Sequence, residues 1–286
     1  MADPSITTFF DDATNTATHL VACPATGRAA IIDSVLDYDH RAGRVATRSA
    51  DALIEQVRGL GLAVDWILET HAHADHLSAA PYLQRQLGGT IAIGRMIATV
   101  QRAFRVIYNT VDADLDGASF GRLFDDGDVF RIGELDCRVM HTPGHTPACV
   151  SYLIGGHAFV GDTLFMPDYG TARCDFPGGD ARALYRSIRR LLALPPDTTL
   201  HLCHDYPPAS RSACWQVTVA EQRAHNIHIH EAVAEDAFVA MRTARDRTLA
   251  MPVLILPSVQ VNLNAGRLPP PEANGIRYLR IPLDAL

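Results

Sequence analysis

Short apolar runs, each closed by turn-forming residues such as Gly, Pro or Asp, recur along most of the chain. Apolar runs of about four to eight residues between turn signals are typical of buried β-strands. We therefore predict strands at Thr18–Cys23, Ala29–Ser34, Val64–Glu69, Thr90–Ile93, Asp128–Ile132, Leu135–His141, Ala148–Ile154, His157–Val160 and Thr199–Cys203.

Other segments carry apolar residues three or four positions apart, which is the spacing of one helix face. The strongest is Asp180–Leu192, where leucines and an isoleucine share one face and arginines occupy most of the other. Further helices are predicted at Ser49–Arg58, His76–Leu87, Arg95–Asn109, Val217–Ala224 and Glu231–Thr248. The polar Val111–Gly121 segment predicts a surface loop. Pro-rich irregular stretches are expected around Val253–Leu256 and Arg277–Ile281.

This order of elements favours two sheets covered by helices on their outer faces over a doubly wound parallel sheet. We predict an α/β fold, specifically an αββα four-layer sandwich. No linker that would divide the chain is evident, so we expect one domain spanning residues 1–286. Residues 217–286 would form a C-terminal extension, helical and irregular, packed on that domain.

Composition narrows the classes of partner. The formal net charge is -7 and no run of Lys or Arg occurs, which argues against nucleic-acid binding. No window reaches the roughly 18 uncharged apolar residues of a membrane span. The N-terminus lacks the features of a signal peptide, and the six cysteines are scattered without a C-x-x-C pair. We therefore expect reduced thiols, a cytoplasmic location and no membrane partner.

One loop concentrates the candidate chemistry. His71, His73, Asp75 and His76 follow the predicted strand Val64–Glu69 within six residues. Imidazole nitrogens and carboxylate oxygens are the usual ligands of zinc and non-haem iron. A loop at the end of a strand can bring several of these ligands to one point, so this segment predicts a metal site.

Three later segments offer the same ligand types in the same context. His145, Asp162 and His204 each lie where a predicted strand exits into a loop. Rigid strands place loop residues reproducibly, so these side chains can meet the first loop at one site. The remaining histidines show no such convergence, and we expect ordinary structural roles for His19, His40, His141, His157, His201, His225, His228 and His230.

The pattern H-x-H-x-D-H followed by a later His, Asp and His resembles the metallo-β-lactamase-fold superfamily. The resemblance implies a first metal held by His71, His73 and His145. It implies a second metal held by Asp75, His76 and His204, with Asp162 bridging the two. A hydroxide between two metals about 3.5–4 Å apart could then act as a nucleophile.

Within that superfamily the chain most resembles the persulfide dioxygenases and a bacterial branch called β-lactamase-hydrolase-like. The resemblance rests on Gly170–Phe176, which contains Arg173, on Cys203–Tyr206, and on Thr218–Asn226. The chain departs from these relatives at Cys174, where many carry Thr. The Val111–Gly121 and Arg267–Leu286 segments also look longer than in compact members.

This closer resemblance implies one Fe(II) per chain, held by His71, His145 and Asp162, with His73, Asp75, His76 and His204 orienting ligands or positioning water. The substrates would be O₂ and a persulfide of glutathione or a similar small thiol, and the products sulfite and thiol. Asp75, His76 and Tyr206 are the candidate catalytic residues, and Arg173 and Tyr206 the candidate substrate-binding residues. A buried structural role for Tyr206 is equally compatible with the sequence. For Cys174 we favour a packed side chain over a reactive thiol.

Two alternatives use the same residues. A dinuclear zinc thioester hydrolase of the glyoxalase II type has the same ligand set, so the ligands do not separate it from the iron enzyme. A metal-containing binding protein without turnover is disfavoured by the complete ligand set. Whether the chain forms a homo-oligomer is left open by the sequence.

Overall fold

A computed structural model of the protein describes residues 3–109 and 116–285. The described strands are β1 Ser5–Asp11, β2 Thr16–Ala22, β3 Arg28–Ile32, β4 Val35–Asp39, β5 Arg44–Ala46, β6 Ala63–Leu68, β7 Leu77–Ser78, β8 Thr90–Gly94, β9 Arg122–Phe124, β10 Val129–Ile132, β11 Leu135–His141, β12 Val150–Ile154, β13 His157–Phe159, β14 Thr199–His201 and β15 Gln216–Thr218. The described helices are α1 Arg48–Gly59, α2 Ala80–Leu87, α3 Ile97–Tyr108, α4 Ala181–Leu192, α5 Val219–His225, α6 Glu235–Asp246 and α7 Ile255–Asn262.

Two six-stranded sheets form the centre of the molecule. The first has the order β1-β2-β3-β6-β8-β9, and the second has the order β10-β11-β12-β13-β14-β15. In the first sheet β3, β6, β8 and β9 run parallel, whereas β1, β2 and β3 pair antiparallel. Parallel strands need crossover connections, and α1, α2 and α3 lie in those connections.

Three apolar clusters hold four layers together. The central cluster joins side chains of the first sheet, such as Ile32 and Leu68, to side chains of the second, such as Val139 and Tyr152. A second cluster packs α1, α2, α3 and α7 on the outer face of the first sheet. A third packs α4 and α6 on the outer face of the second sheet. The predicted αββα sandwich is therefore confirmed.

The sequence missed several short strands. β1, β4, β5, β7, β9 and β15 were not predicted, because most are edge strands or two- to three-residue pairings that lack a continuous apolar run. The predicted helix His76–Leu87 begins only at Ala80. Leu77 and Ser78 instead pair with Val35 and Leu36 of β4, and Pro81 favours a helix start at that point.

The C-terminal prediction also needs a correction. Residues around Val253–Leu256 were expected to be irregular, yet α7 begins at Ile255. Pro257 is compatible with this helix because an amide in the first turn has no intrahelical acceptor to lose. Residues 110–115 of the predicted Val111–Gly121 loop lie outside the described part. Of the remainder, Phe120 is buried in the core.

No helix in the described part of the chain is long and apolar enough to cross a bilayer. All six cysteines are free thiols, and five of them are buried.

Candidate metal centre

The seven predicted ligands all lie at strand ends. His71, His73, Asp75 and His76 follow β6, whereas His145 follows β11, Asp162 follows β13 and His204 follows β14. Since these strands belong to both sheets, the site sits at one edge of the sandwich where the two sheets meet. The structure brings all seven side chains together there, in two adjoining groups.

The first group consists of His71, His145 and Asp162, whose ligand atoms lie within 4.8 Å of one another. Oδ2 of Asp162 lies 3.8 Å from Nε2 of His71 and 3.7 Å from Nε2 of His145. Ligands bound to one ion at about 2.0–2.2 Å are spaced slightly closer than this. Two imidazoles and one carboxylate in this arrangement form the ligand set typical of non-haem iron.

The second group consists of His73, Asp75, His76 and His204. Nε2 of His204 lies 3.1 Å from Oδ2 of Asp75 and 3.4 Å from Oδ1 of Asp162. The two oxygens of Asp162 therefore face different groups, with Oδ2 towards the first and Oδ1 towards the second. A carboxylate in this orientation can bridge two metals or serve one.

His73 stands between the groups. The superfamily pattern assigns it to the first metal, whereas the structure places its ligand atom among those of Asp75, His76 and His204. Its ring centroid lies 4.1 Å from those of both His71 and His76. The geometry thus leaves only His71, His145 and Asp162 in the first group.

Unpaired polar atoms show that these residues fit a metal ion. Buried polar atoms are normally hydrogen-bonded, and each unpaired one costs about 1–3 kcal/mol. Eight such side-chain atoms occur in the described part of the chain, and five belong to this site: Nε2 of His71, Nδ1 of His73, Nε2 of His76, Oδ1 of Asp162 and Nε2 of His204. A cation would satisfy them together, so the arrangement is that of a metal centre.

The opposite ring nitrogens are held by the protein. Nδ1 of His145 donates to the carbonyl of Arg173 at 2.8 Å, and Nδ1 of His204 donates to the carbonyl of Asn15 at 3.1 Å. Nδ1 of His71 lies 3.0 Å from Oγ1 of Thr70. Such bonds fix the tautomer and leave each Nε2 lone pair directed at the centre.

Two buried carboxylates that sequence reasoning missed hold His73. Its Nε2 lies 3.0 Å from Oδ1 of Asp33 and 3.2 Å from Oε2 of Glu69. Burial alone would lower the pKa of His73, but these two carboxylates raise it well above its ordinary value. Glu69 could have been predicted from the sequence, because it directly follows β6 beside the histidine loop. Asp33 is 40 residues from His73, and no sequence pattern indicates that the two are in contact.

Burial controls the protonation of other groups at the site. It lowers the pKa of His71 well below its ordinary value, and neighbouring histidines lower it further. Burial likewise lowers the pKa of His76, as does His73. Both rings are therefore neutral at neutral pH, which is the form that binds metals.

The metal ligands open onto a cleft of about 800 Å³. Asp75, His145 and Asp162 line this cleft, as do residues of the 249–254 segment. Arg41 and Arg245 also line it, and neither guanidinium contacts a carboxylate in the part of the chain that the structure describes. Within an acidic protein, Arg41 and Arg245 are thus cleft cations without a carboxylate partner among the described residues.

Tyr206 lines the same cleft. Its ring stacks on that of His204, with centroids 5.9 Å apart, and also lies 4.8 Å from the ring of Tyr169. Burial and the carboxylates of Asp75 and Asp162 raise the pKa of Tyr206 well above its ordinary value. The phenol therefore stays protonated and can act as a hydrogen-bond donor beside the metal centre.

Arg173 lines the cleft but is largely committed to the protein. Its Nε and one terminal nitrogen donate to the carboxylate of Asp175 at 2.6 and 2.7 Å, and the other terminal nitrogen donates to the carbonyl of Ala250 at 2.7 Å. This bidentate pairing leaves few donors for a substrate carboxylate. Arg173 thus joins the loop after Asp162 to the C-terminal extension.

Cys174 is buried, and burial raises the pKa of its thiol strongly. A protonated, inaccessible thiol is a poor nucleophile, which favours the packed role over the reactive one.

His228 accepts a hydrogen bond from the backbone N–H of Thr171 at 3.1 Å, and it belongs to none of the candidate metal groups among the described residues.

Comparisons with known proteins agree with this geometry. A sequence profile of the metallo-beta-lactamase superfamily matches residues 12–204. A Burkholderia pseudomallei protein named "probable metallo-hydrolase" is 60% identical over 97% of this chain and 98% of its own length. The Agrobacterium fabrum beta-lactamase hydrolase-like protein is 52% identical over 100% of this chain, which spans 66% of that relative's length.

More distant relatives include persulfide dioxygenases. Human mitochondrial persulfide dioxygenase ETHE1 is 31% identical over 76% of this chain and 72% of its own length. The crystal structure of ETHE1 from Myxococcus xanthus superposes with a TM-score of 0.74 at 28% identity, covering 92% of this chain and 100% of that one. The profile match and these relatives confirm the resemblance predicted from the ligand pattern: the chain belongs to the metallo-β-lactamase superfamily, whose members are metal-dependent enzymes.

Proposed function

We propose that the protein is an iron-dependent persulfide dioxygenase. Its substrate would be glutathione persulfide or a similar small persulfide, which O₂ and one water would convert to sulfite and the free thiol. The observation that carries this proposal is the close approach of His71, His145 and Asp162, because two imidazoles and one carboxylate leave open positions on Fe(II). The identity to human persulfide dioxygenase supports it.

Different residues of this chain would hold water and bind the substrate around that iron. Bound Fe(II) would supply the redox chemistry that brings O₂ to the terminal sulfur of the substrate. His76 and His204, each with an unpaired buried Nε2, would hold water beside the first group. The protonated phenol of Tyr206 would donate a hydrogen bond to the substrate in the cleft.

Arg41 and Arg245 provide the argument for an anionic thiol. A carboxylate-bearing thiol such as glutathione carries negative charge and meets a protein of net charge -7, so it needs local cations. Both guanidinium groups line the cleft and are unpaired with carboxylates among the described residues. We therefore assign carboxylate binding to these two residues in preference to Arg173, whose guanidinium group already pairs with Asp175.

The direct test measures O₂ consumption with glutathione persulfide as substrate. Anaerobically purified, Fe(II)-loaded protein should consume O₂ and release sulfite, with one sulfite formed for each O₂. Metal-free protein and the Asp162→Ala variant are the controls. Uptake by the loaded protein no greater than by these controls would rule the proposal out.

A second function has one specific observation in its favour. The two oxygens of Asp162 face different ligand groups, which also suits two metals, and the relative with 60% identity carries a hydrolase name. The alternative is a dinuclear zinc thioester hydrolase of the glyoxalase II type. Two zinc ions per chain together with hydrolysis of a glutathione thioester, and no O₂ uptake, would establish it in place of the dioxygenase.

A further inference from the structure

Asn262 joins the C-terminal extension to the metal-ligand loop. It is the last residue of α7 and is 4% exposed. Its side-chain Nδ2 donates to the carbonyl oxygens of His73 at 2.8 Å and His76 at 2.7 Å. Its Oδ1 accepts from the backbone N–H of Ser78 at 2.8 Å. One side chain thus makes three hydrogen bonds to a single short loop.

These bonds use both donors and the acceptor of the amide. Water does not compete at a buried position, so a lost bond leaves unpaired carbonyls behind it. The carbonyls belong to two residues whose imidazoles face the metal centre, and Asp75 lies between them in sequence. Fixing the two backbone carbonyls to one rigid amide therefore fixes the relative positions of these three side chains.

The helix that carries Asn262 is itself firmly placed. The hydroxyl of Tyr108 donates to the carbonyl of Leu256 at 3.2 Å, and the amide of Gln101 donates to the carbonyl of Leu263 at 2.8 Å. Just beyond α7, Gly266 has a φ of +77°, and a Cβ at this position would lie 2.8 Å from the carbonyl of Ser78. Contacts on both ends of α7 thus hold the amide at a constant distance from the loop.

We propose that Asn262 is a positioning residue for the metal centre: by holding the loop that carries His71, His73, Asp75 and His76, the C-terminal extension sets how tightly the site binds a metal. Asn262 lies outside the 12–204 region that matches the superfamily profile. The proposal rests on the metal centre of the proposed function, but not on which reaction that centre performs. According to this proposal, a residue outside the region matched by the superfamily profile helps to position the metal ligands.

The test compares three variants of α7 in the full chain. Asn262→Ala removes all three hydrogen bonds. Ser258→Ala removes a buried hydroxyl that has no partner among the described residues. Val261→Ala shortens a fully buried side chain of the same helix that makes none of the three hydrogen bonds. Metal-free protein is titrated with Co(II), and the dissociation constant, the visible ligand-field spectrum and the Tm are recorded.

We expect Asn262→Ala to bind Co(II) about 10- to 100-fold more weakly, as is typical when a partner of a metal ligand is removed. Its ligand-field spectrum should shift. Ser258→Ala should match the unaltered protein in dissociation constant and spectrum, and its Tm should be no lower. Val261→Ala should show a lower Tm but an unchanged spectrum and dissociation constant.

Unchanged Co(II) binding by Asn262→Ala would overturn the proposal. So would a loss of affinity in Val261→Ala as large as that in Asn262→Ala, because the effect would then reflect stability alone. Should Asn262→Ala not fold, Asn262→Asp keeps the size and the acceptor while removing the amide donors, and the same outcomes apply to it. A dioxygenase assay that fails while the Co(II) difference persists would reject only the proposed function.

Discussion

At the scale of single residues, the orientation of Asp162 allows the site to hold either one metal or two. Its Oδ2 lies near two histidines of the first group, and its Oδ1 lies 3.4 Å from His204 of the second. The same carboxylate therefore belongs to either a one-metal or a two-metal centre. Substitutions that remove one group at a time distinguish these cases.

We predict that Asp162→Ala abolishes metal binding, whereas His76→Ala retains one bound iron per chain. The reason is that Asp162 is the only carboxylate of the first ligand group, while His76 belongs to the second. Metal content after equilibrium dialysis against Fe(II) checks this, with the exposed His225→Ala as control. A dinuclear site would instead show two metals in the control and one in His76→Ala.

Residue type and order sufficed to predict the candidate ligands that the structure brings together, but not the side chains that hold them. His71 and Asp162 could be chosen because each is a ligand type at the end of an apolar run. Asp33 and Asn262 contact His73 across 40 and 189 residues of sequence. No sequence motif around Asp33 or Asn262 predicts this contact, because it forms only when distant elements of the chain pack together.

At the scale of elements, the loop that carries His145 is held against the N-terminal half of α4. The hydroxyl of Ser187 donates to the carbonyl of Pro143 at 2.6 Å, and the N–H of Asp180 donates to the carbonyl of Gly144 at 2.8 Å. Gly144 has a φ of +145°, and a Cβ at this position would lie 2.3 Å from Cα of Leu184. Only glycine permits this approach of loop to helix.

Gly144→Ala should therefore destabilise the protein by about 3 kcal/mol, through a clash with helix backbone and an unfavourable φ. The free energy of unfolding from urea denaturation measures the effect. Gly156→Ala is the matched control, since a Cβ there meets nothing within 4 Å. A loss in Gly144→Ala no larger than in this control would contradict the tight packing of the loop.

Periodicity predicted the long central strands and α4 because each buries one continuous apolar pattern. It failed where pairing or docking decides the structure. β7 is two residues long and exists only because β4 lies beside it. α7 was obscured by prolines in its flanks and first turn, and it forms against the apolar core that α2 and α3 also cover.

At the scale of the whole molecule, buried histidines join the two sheets near the metal site. His19 of β2 donates from Nε2 to the carbonyl of Leu202, just after β14, at 3.0 Å, and its Nδ1 accepts from Thr8 at 2.9 Å. Burial lowers the pKa of His19 to about 4. The ring is therefore neutral in the folded protein over a pH range where an unfolded histidine is charged.

Acid should weaken this link between the sheets. The pKa of His19 is about 4 in the folded protein and about 6.5 in the unfolded chain. Between these two pH values the unfolded state binds more protons, so the free energy of unfolding decreases as the pH falls. Metal-free protein should lose about 2–3 kcal/mol more than His19→Gln between pH 7.5 and 4.5. Urea denaturation at both pH values checks this, with the exposed His225→Gln expected to follow the unaltered protein. Equal losses in the unaltered protein and His19→Gln would contradict the assignment.

The contact between Asn262 and the loop at His73–His76 also bears on how the protein is made. The bonded residues are separated by 184 to 189 positions. At a synthesis rate of about 5–20 residues per second, the loop waits roughly 10–40 s for its partner to be translated. Its histidines and Asp75 are thus available to cellular metals well before the amide holds them in place. We therefore expect the completed chain to select its ion more strictly than a nascent chain, in which the same side chains are held less tightly.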